Sequence, residues 1–299
     1  MSTQLATIES RPVKGGRHRK EPPIVFIEPK ASRQTPGKQR VTYLRVLRSE
    51  WIKLVSLRSA VITLLASAGV IVGVGLLAAG MSSGTLSAPA DGGPPTAADP
   101  TGITLTGTNL AQLIIGALGV MLVTSEYTSG LIRLSLAAVP TRLPVLWAKV
   151  VVLAGASFLL LAPAVVVTFF GAQFMLDAGG SPTAALTDPG VLRALVGAAG
   201  YLTGIGILGI ALGTLIRATA PAISVLFAGV FLLPALISIL LPSSWSEVTK
   251  YLPSNAGASV MKVVADPDKL DALTGAGVFV IYVIVALAGA ALALRRRDV

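Results

Sequence analysis

The sequence predicts an all-α membrane protein with six transmembrane helices. Its 299 residues are 53% apolar and only 13% charged, with a mean hydropathy of +0.78, whereas a soluble domain carries about 25% charged residues. Each of its six uncharged runs exceeds the roughly 20 residues that cross a bilayer as a helix. These runs are 59–90, 100–125, 150–176, 194–216, 218–246 and 272–294. They are apolar on every face, unlike the alternating strands of a membrane barrel, and that fold is therefore excluded.

The chain divides into a tail and a membrane domain. Residues 1–40 hold nine Lys or Arg against three Glu, a composition that predicts a disordered basic tail touching anionic lipid. Phe26 is the only Phe, Tyr or Trp among these charges, so nucleic acid is not an expected partner. The apolar stretch 24–27 leaves open an added strand on a soluble partner. Residues 41–299 form the six-span domain, with spans at about 59–80, 103–125, 144–175, 194–216, 219–241 and 273–294.

The basic residues predict the orientation of the spans, because Lys and Arg near span ends stay on the cytoplasmic side of a membrane. Of the 24 Lys and Arg residues, 20 lie on the side of the two termini and 4 on the other side. With an even number of spans the termini share one side. We therefore expect both termini in the cytoplasm.

The segment before span one predicts an elbow helix along the membrane interface. Leu44, Leu47 and Trp51 fall on one helical stripe, and Arg45 and Lys53 fall on the opposite side. An apolar stripe with basic residues and a Trp is typical of interfacial helices. The alternative is a cytoplasmic extension of span one.

Two short external helices, interfacial or re-entrant, are predicted before the last span. Trp245, Val248 and Leu252 recur at helical spacing, and a second apolar pattern follows a break. Ser254 or Asn255 is the expected cap of the second helix.

Small residues four apart predict close helix packing inside the membrane domain. The pairs are Gly69 and Gly73, Gly200 and Gly204, and Gly209 and Gly213. A contact between two copies of the chain is the alternative for each pair.

Several kinds of chemistry are missing from the chain. It has no cysteine and a single histidine, His18, which excludes disulfides and histidine metal cages. The six uncharged runs lack the ionisable groups on which ion-coupled transporters, proton pumps and voltage sensors depend. Gly37-Lys38 is followed by Gln39 and does not complete a phosphate-binding loop. We therefore expect no enzymatic activity, no bound cofactor and no metal, and any uphill transport needs an outside source of energy.

Two segments carry a resemblance to a known family. The segment RVLRSEWIKLVSLRS (45–59) and the loop after span two are similar to the permease subunits of type 2 ABC exporters from actinobacteria, which have six helices. The matching loop residues are Glu126, Gly130, Arg133, Pro140, Arg142 and Lys149. One departure is Leu131, where the family usually has Thr. The resemblance covers residues 41–299 and is specific in these two segments and in the number of spans.

The resemblance implies a function in transport. It implies a cytoplasmic coupling helix in the first cytoplasmic loop, resting on an ATPase subunit, with the ATPase-coupling residues Glu126, Gly130, Arg133, Pro140 and Arg142. Glu126 would meet a basic group on the partner or on the elbow helix, and Gly130 would permit a close backbone approach. Arg142 and Lys149 would anchor span three against lipid phosphates.

The same resemblance implies an assembly in a bacterial plasma membrane. Two permease chains, a homodimer or two related chains, would enclose a pathway and bind two ABC ATPase subunits that carry ATP and Mg. Spans two and five would line that pathway. The residues expected to face it are Asn109, Gln112, Ser224, Phe227 and Phe231.

Two other functions stay open at this point. A membrane scaffold or sensor without transport activity would use the tail as its working part, and a secondary transporter is disfavoured by the uncharged runs. The sequence does not discriminate between drugs, peptides, lipids and lantibiotic-like compounds as substrates.

Overall fold

The computed structural model describes residues 42–86, 99–130, 143–240, 246–264 and 270–296. Within these ranges the regular elements are all helical. The predicted tail, 1–40, and the segment 131–142, where the coupling helix is predicted, lie outside the described residues.

Eleven α-helices follow one another in the described ranges. They are α1 (Tyr43–Ser56), α2 (Arg58–Ser82), α3 (Pro100–Thr104), α4 (Thr108–Thr128), α5 (Leu143–Ala178), α6 (Val191–Ile216), α7 (Thr219–Phe227), α8 (Leu233–Leu240), α9 (Ser246–Lys250), α10 (Pro253–Ser259) and α11 (Ala272–Arg296). A 3₁₀ turn, Leu105–Gly107, joins α3 to α4, and a π-helical turn, Ala228–Leu232, joins α7 to α8.

Six helical segments in the described part of the chain are long and apolar enough to cross a membrane, which confirms a multi-pass architecture by length and composition. They are Arg58–Ser82, Pro100–Thr128, Leu143–Ala178, Val191–Ile216, Thr219–Ile237 and Ala272–Arg296, spans one to six below. Most extend beyond the uncharged runs, because a helix does not end where its sequence first turns polar. Span three has 36 residues, about 54 Å at 1.5 Å per residue, and so exceeds the hydrocarbon thickness of about 30 Å.

Span five is interrupted by a proline. Pro234 has no N–H to donate to the carbonyl of Val230, and its ring crowds that carbonyl. The π-helical turn Ala228–Leu232 contains Val230 and widens the helix at this place. A wider turn accommodates the proline without ending the span.

The core is built around α6, which packs against α4, α5 and α11. Glycines allow α4 and α6 to approach closely: a Cβ at Gly119 would collide with the carbonyl of Gly206, and one at Gly209 would collide with that of Gly116. The predicted packing role is thus seen at Gly209, and also at Gly213, where a Cβ would lie 3.0 Å from the Val120 carbonyl oxygen. Such contact replaces the hydrophobic driving force that is missing in lipid.

Of the other two glycine pairs, one agrees with the prediction at one of its two residues and the other does not agree. A Cβ at Gly204 would collide with the ring of Phe279, but one at Gly200 would meet no atom within 4 Å. Gly69 and Gly73 are exposed and also have open space around the missing Cβ. In the described part of one chain, this pair does not pack against another helix.

The helix before span one is separate from it. The backbone of Leu57 is extended, with φ −78° and ψ 97°, and this residue ends α1 before α2 begins. A single continuous helix is therefore not what forms. Helix α1 packs on α5 through Val46, Glu50 and Leu54, while Trp51 stays exposed.

Two short helices do precede span six, but the predicted cap is wrong. The N-cap of α10 is Leu252, and Pro253 takes the first helical position, where its missing N–H costs nothing. Asn255 therefore lies inside the first turn, and its amide donates to the Thr249 carbonyl at 2.8 Å.

Candidate functional site

Two carboxylates and two ammonium groups meet at the end of the bundle where α1, α4 and α5 come together. Lys149 Nζ lies 2.7 Å from Glu50 Oε2 and 2.7 Å from Glu126 Oε1. Lys53 Nζ lies 2.6 Å from Glu50 Oε1 and 3.1 Å from Glu126 Oε1. We call these four residues the ion cluster. Its formal charge is zero, and it links three helices that are distant in sequence.

Three of the four side chains in the ion cluster are buried. The exposed fraction is 4% for Glu50, 9% for Glu126 and 8% for Lys149, against 40% for Lys53. A buried charge is tolerated when opposite charges and hydrogen bonds surround it, and removing one partner of such a pair typically costs about 3 to 5 kcal/mol. Lys149 is therefore the centre of the cluster, because it holds both carboxylates from a buried position.

Local sequence explains how each group reaches this place. Glu126 is the first charged residue after the uncharged run of span two, and Lys149 is the last before the run of span three. Glu50 and Lys53 are three residues apart on α1 and therefore share a face of that helix. The ion cluster thus lies where two apolar spans reach the edge of the hydrocarbon layer.

Two predictions about charge require correction. Glu126 and Lys149 belong to helices of membrane length, so those spans are longer than their uncharged runs and do contain charge. Lys149 was also expected to anchor span three against lipid phosphates, but its ammonium group is buried and paired with two carboxylates. These charges lie at span ends, away from the midplane where secondary transporters bind their ions.

The environment of Lys53 keeps it protonated. Burial by itself lowers the pKa of Lys53, but the hydrogen bond to Glu50 and the charges of Glu126 and Glu50 outweigh burial, so the pKa rises above its usual value of 10.5. Lys53 is therefore a cation at every physiological pH.

A pocket of about 470 Å³ opens beside the ion cluster. Its lining residues are Glu50, Lys53, Leu54, Ser56, Leu57, Leu122, Ser125, Glu126, Ser129, Lys149, Val152 and Leu153. Oε2 of Glu126 is buried and has no hydrogen-bond partner within the described residues, whereas the other three carboxylate oxygens of the cluster are all paired. An unpaired carboxylate oxygen is a strong acceptor for a donor from outside.

Of the five predicted coupling residues, the structure describes two. Glu126 contacts Lys53 of α1 at 3.1 Å and Lys149 of α5 at 2.7 Å, so its partners within this chain include the basic group on the helix before span one. Gly130 follows α4 with φ 70°, and a Cβ there would meet no described atom within 4 Å, so the left-handed backbone is what requires glycine. Arg133, Pro140 and Arg142 lie outside the described residues.

The five predicted pathway residues differ in their exposure within a single chain. Gln112 is buried, accepts a hydrogen bond from the Tyr201 hydroxyl and donates to the Asn109 carbonyl at 3.0 Å, so it fastens α4 to α6. Asn109 itself is exposed. On span five, Ser224 and Phe231 are exposed and Phe227 is half-buried. These three follow one another at spacings of three and four and lie on one side of the span.

Sequence reasoning missed Glu50, Lys53 and Lys149 as members of the site. A signal was present for Glu50, because an acid on the predicted cytoplasmic side runs against the local charge bias, as Glu126 does too. The part of the chain that the structure describes contains no group of three or more His, Cys, Asp or Glu side chains placed to hold a metal ion.

Comparison with known proteins does not assign a family: no protein-family model and no curated protein matches the chain.

Proposed function

We propose that the chain is the membrane-spanning permease subunit of an ATP-driven ABC exporter. The observation that carries the proposal is the Glu126–Lys149 ion pair of 2.7 Å. It joins the end of α4 to the start of α5, the two helices that flank the segment 131–142. Through Glu50 and Lys53 the same ion cluster includes α1. Motion applied to 131–142 would therefore reach three helices together, as coupling to an ATPase requires.

In this proposal the assembly contains two permease chains and two ATPase subunits that hold ATP and Mg. The excess of basic residues on the side of the termini supports a cytoplasmic location for the ion cluster in a bacterial plasma membrane. Span five supports the pairing of two chains, because only 17% of its apolar window is buried within one chain. A second copy would cover part of the remaining face.

Helix α1 acts as an interfacial elbow in this arrangement. Its face away from α5 carries exposed apolar side chains, with exposed fractions of 71% for Leu44, 45% for Trp51 and 54% for Val55. Such a face is suited to the boundary between headgroups and acyl chains. The buried Glu50 on the opposite face fixes its rotation.

Helices α9 and α10 are the external re-entrant helices of the proposal. A Cβ at Gly257 of α10 would collide with the ring of Tyr201. Tyr201 is ten residues beyond Val191, the start of α6, which corresponds to about 15 Å along the helix axis. This depth is about half of the hydrocarbon thickness. The contact supports a helix that dips into the membrane from outside.

The proposal is tested with a pair of matched glycine variants. Gly130 and Gly180 have φ of 70° and 68°, and a Cβ at either would meet no atom within 4 Å. Valine strains the backbone by about 1 to 3 kcal/mol at both positions. Gly130, beside 131–142, is on the proposed ATPase side, and Gly180 follows α5 on the other side. Substrate-stimulated ATPase activity and export into vesicles are measured for the assembled complex.

We expect Gly130→Val to disconnect ATP hydrolysis from export and Gly180→Val to leave both activities near wild type. Equal behaviour of the two variants, with export intact, would contradict coupling through this end of the bundle. A chain that purifies without any ATPase subunit and supports no export would instead favour the membrane scaffold or sensor.

A further inference from the structure

We infer that the pocket beside the ion cluster binds a phospholipid whose headgroup carries a primary ammonium group. The inference concerns a ligand of the membrane domain and does not depend on the transported substrate. It rests on three features of the pocket: an unpaired carboxylate oxygen, a partly exposed ammonium group and an apolar wall.

The unpaired oxygen selects a donor. Oε1 of Glu126 accepts from both Lys53 and Lys149, whereas Oε2 is buried without a partner in the described part of the chain. The Glu126 side chain is 9% exposed and lines the pocket. A buried carboxylate oxygen without a donor loses the hydrogen bonds that water would give it. A primary ammonium group supplies three donors and a positive charge.

The partly exposed ammonium group of Lys53 favours a ligand that carries an anionic group close to its ammonium donor. Lys53 is the one cluster residue with substantial exposure, at 40%, and its raised pKa keeps it charged. A phosphate group beside Lys53 and an ammonium group beside Glu126 reproduce the charges of a zwitterionic headgroup. A soluble amine offers the first interaction only, and an anionic lipid without an amine, such as phosphatidylglycerol, offers the second only.

The apolar lining of the pocket and its position at the ends of two spans favour a ligand with an acyl chain. The rest of the pocket is lined mainly by apolar side chains, among them Leu54, Leu57, Leu122, Val152 and Leu153. Glu126 and Lys149 stand at the ends of two uncharged runs, where headgroups meet acyl chains. A phospholipid in the leaflet on the side of α1 therefore meets all three features at once.

The experiment compares two lipids whose headgroup nitrogen carries either three hydrogens or three methyl groups. The full chain is purified in detergent, stripped of lipid and titrated with phosphatidylethanolamine or phosphatidylcholine of identical acyl chains, and bound lipid is counted by native mass spectrometry. Both headgroups have a phosphate and a positive charge, but the quaternary ammonium of phosphatidylcholine has no N–H. A hydrogen bond to a charged group corresponds to about a tenfold or greater preference. We expect wild type to prefer phosphatidylethanolamine by about tenfold.

Three variants separate the parts of the pocket. Glu126→Gln should remove most of the preference, and Lys53→Gln should weaken both lipids while the preference persists. Ser125 is exposed, lines the pocket and takes no part in the ion pairs, so Ser125→Phe fills the space and should lower binding of both lipids. Glu247→Gln is the control, because Glu247 is exposed and pairs with Lys250 elsewhere in the chain.

The result can also overturn the inference. Equal affinity of wild type for the two lipids would rule out a donor to Glu126. Unchanged binding by Ser125→Phe would place the lipid elsewhere, and this variant keeps the test decisive if Glu126→Gln does not fold. Neither outcome bears on the ATPase assays of the Gly130 and Gly180 variants, so the two proposals fail separately.

Discussion

Spans four and five are about equally apolar, but span four is buried among other helices of the chain and span five is mostly exposed. Their most apolar windows have hydropathies of 1.9 and 2.3, and 72% of the first is buried compared with 17% of the second. Span four is bounded by glycines of α4 and by the ring of Phe279, so neighbouring backbones reach it. Span five buries Ala222, Leu226 and Val230 and leaves its other sides open. Hydropathy thus predicts that a helix enters the membrane, and small residues decide how deeply it packs.

The ion cluster, like span four, is a place where helices pack closely. Removing Lys149, the centre of the cluster, should have the largest effect on stability. Lys149→Met removes the buried cation between Glu50 and Glu126 and leaves only the partly exposed Lys53 to pair with them, which should lower the free energy of unfolding by about 3 to 5 kcal/mol. Reversible unfolding in mixed micelles, followed by circular dichroism, measures the loss. Glu247→Gln removes an exposed carboxylate that pairs with Lys250, and should change the unfolding free energy by at most about 1 kcal/mol. A loss for Lys149→Met no larger than for this control would show that the cluster does not hold the helices together.

The glycine contact between α4 and α6 gives the next effect. Gly119→Leu places a side chain against the Gly206 carbonyl, and overpacking of this kind costs about 1 to 3 kcal/mol. Gly229 of span five has no atom within 4 Å of a Cβ position, so Gly229→Leu should be close to neutral. The same unfolding assay compares the two. Equal losses would mean that the contrast between the packed and open spans does not determine stability.

The hydrogen bond between Tyr201 and Gln112 gives a smaller effect in the same interface. Gln112→Leu leaves the buried Tyr201 hydroxyl without its acceptor and should cost about 1 kcal/mol. Tyr201→Phe removes the other partner. Because the double variant leaves no polar group unpaired, its loss should be smaller than the sum of the two single losses. Strict additivity in the unfolding assay would indicate that the bond contributes nothing in the membrane.

The sequence predicts the number of spans because the free energy of placing apolar side chains in lipid is local and additive along the chain. It does not predict the ion cluster with the same ease. Glu50, Glu126 and Lys149 each look like residues at a span boundary, and their pairing depends on how α1, α4 and α5 are arranged in space. The acids give a partial signal, since both oppose the basic bias of their side of the membrane. Lys149 gives none, because a lysine at that position satisfies the bias.

Gln112 shows a second ambiguity, in the predicted pathway. A lone amide in an apolar span suggests a polar passage as readily as a bond between helices. The position of Tyr201 reveals the bond, and the pathway role of Gln112 stays a prediction. The sequence does not predict the break at Leu57 either, because the pattern of 41–58 is compatible with a separate helix and with an extension of span one. Phe231 stays a pathway prediction, since its surroundings in an assembly are set by a second chain.

The smallest expected effect concerns the open face of span five. Phe231 is 52% exposed in one chain, so Phe231→Ala should change the unfolding free energy of the monomer by about 0.5 kcal/mol or less. If two chains pair along span five, as proposed above, the same variant removes an aromatic contact from the interface, and a contact residue of this kind contributes about 1 kcal/mol or more. Phe174 is the matched control, because it is 76% exposed on α5. Dimer dissociation in nanodiscs, measured by fluorescence transfer between labelled chains, should be weakened by Phe231→Ala and unaffected by Phe174→Ala. Identical dissociation of the two variants would place the open face of span five against lipid, and the contrast with span four would then reflect solvation by acyl chains and not a missing subunit.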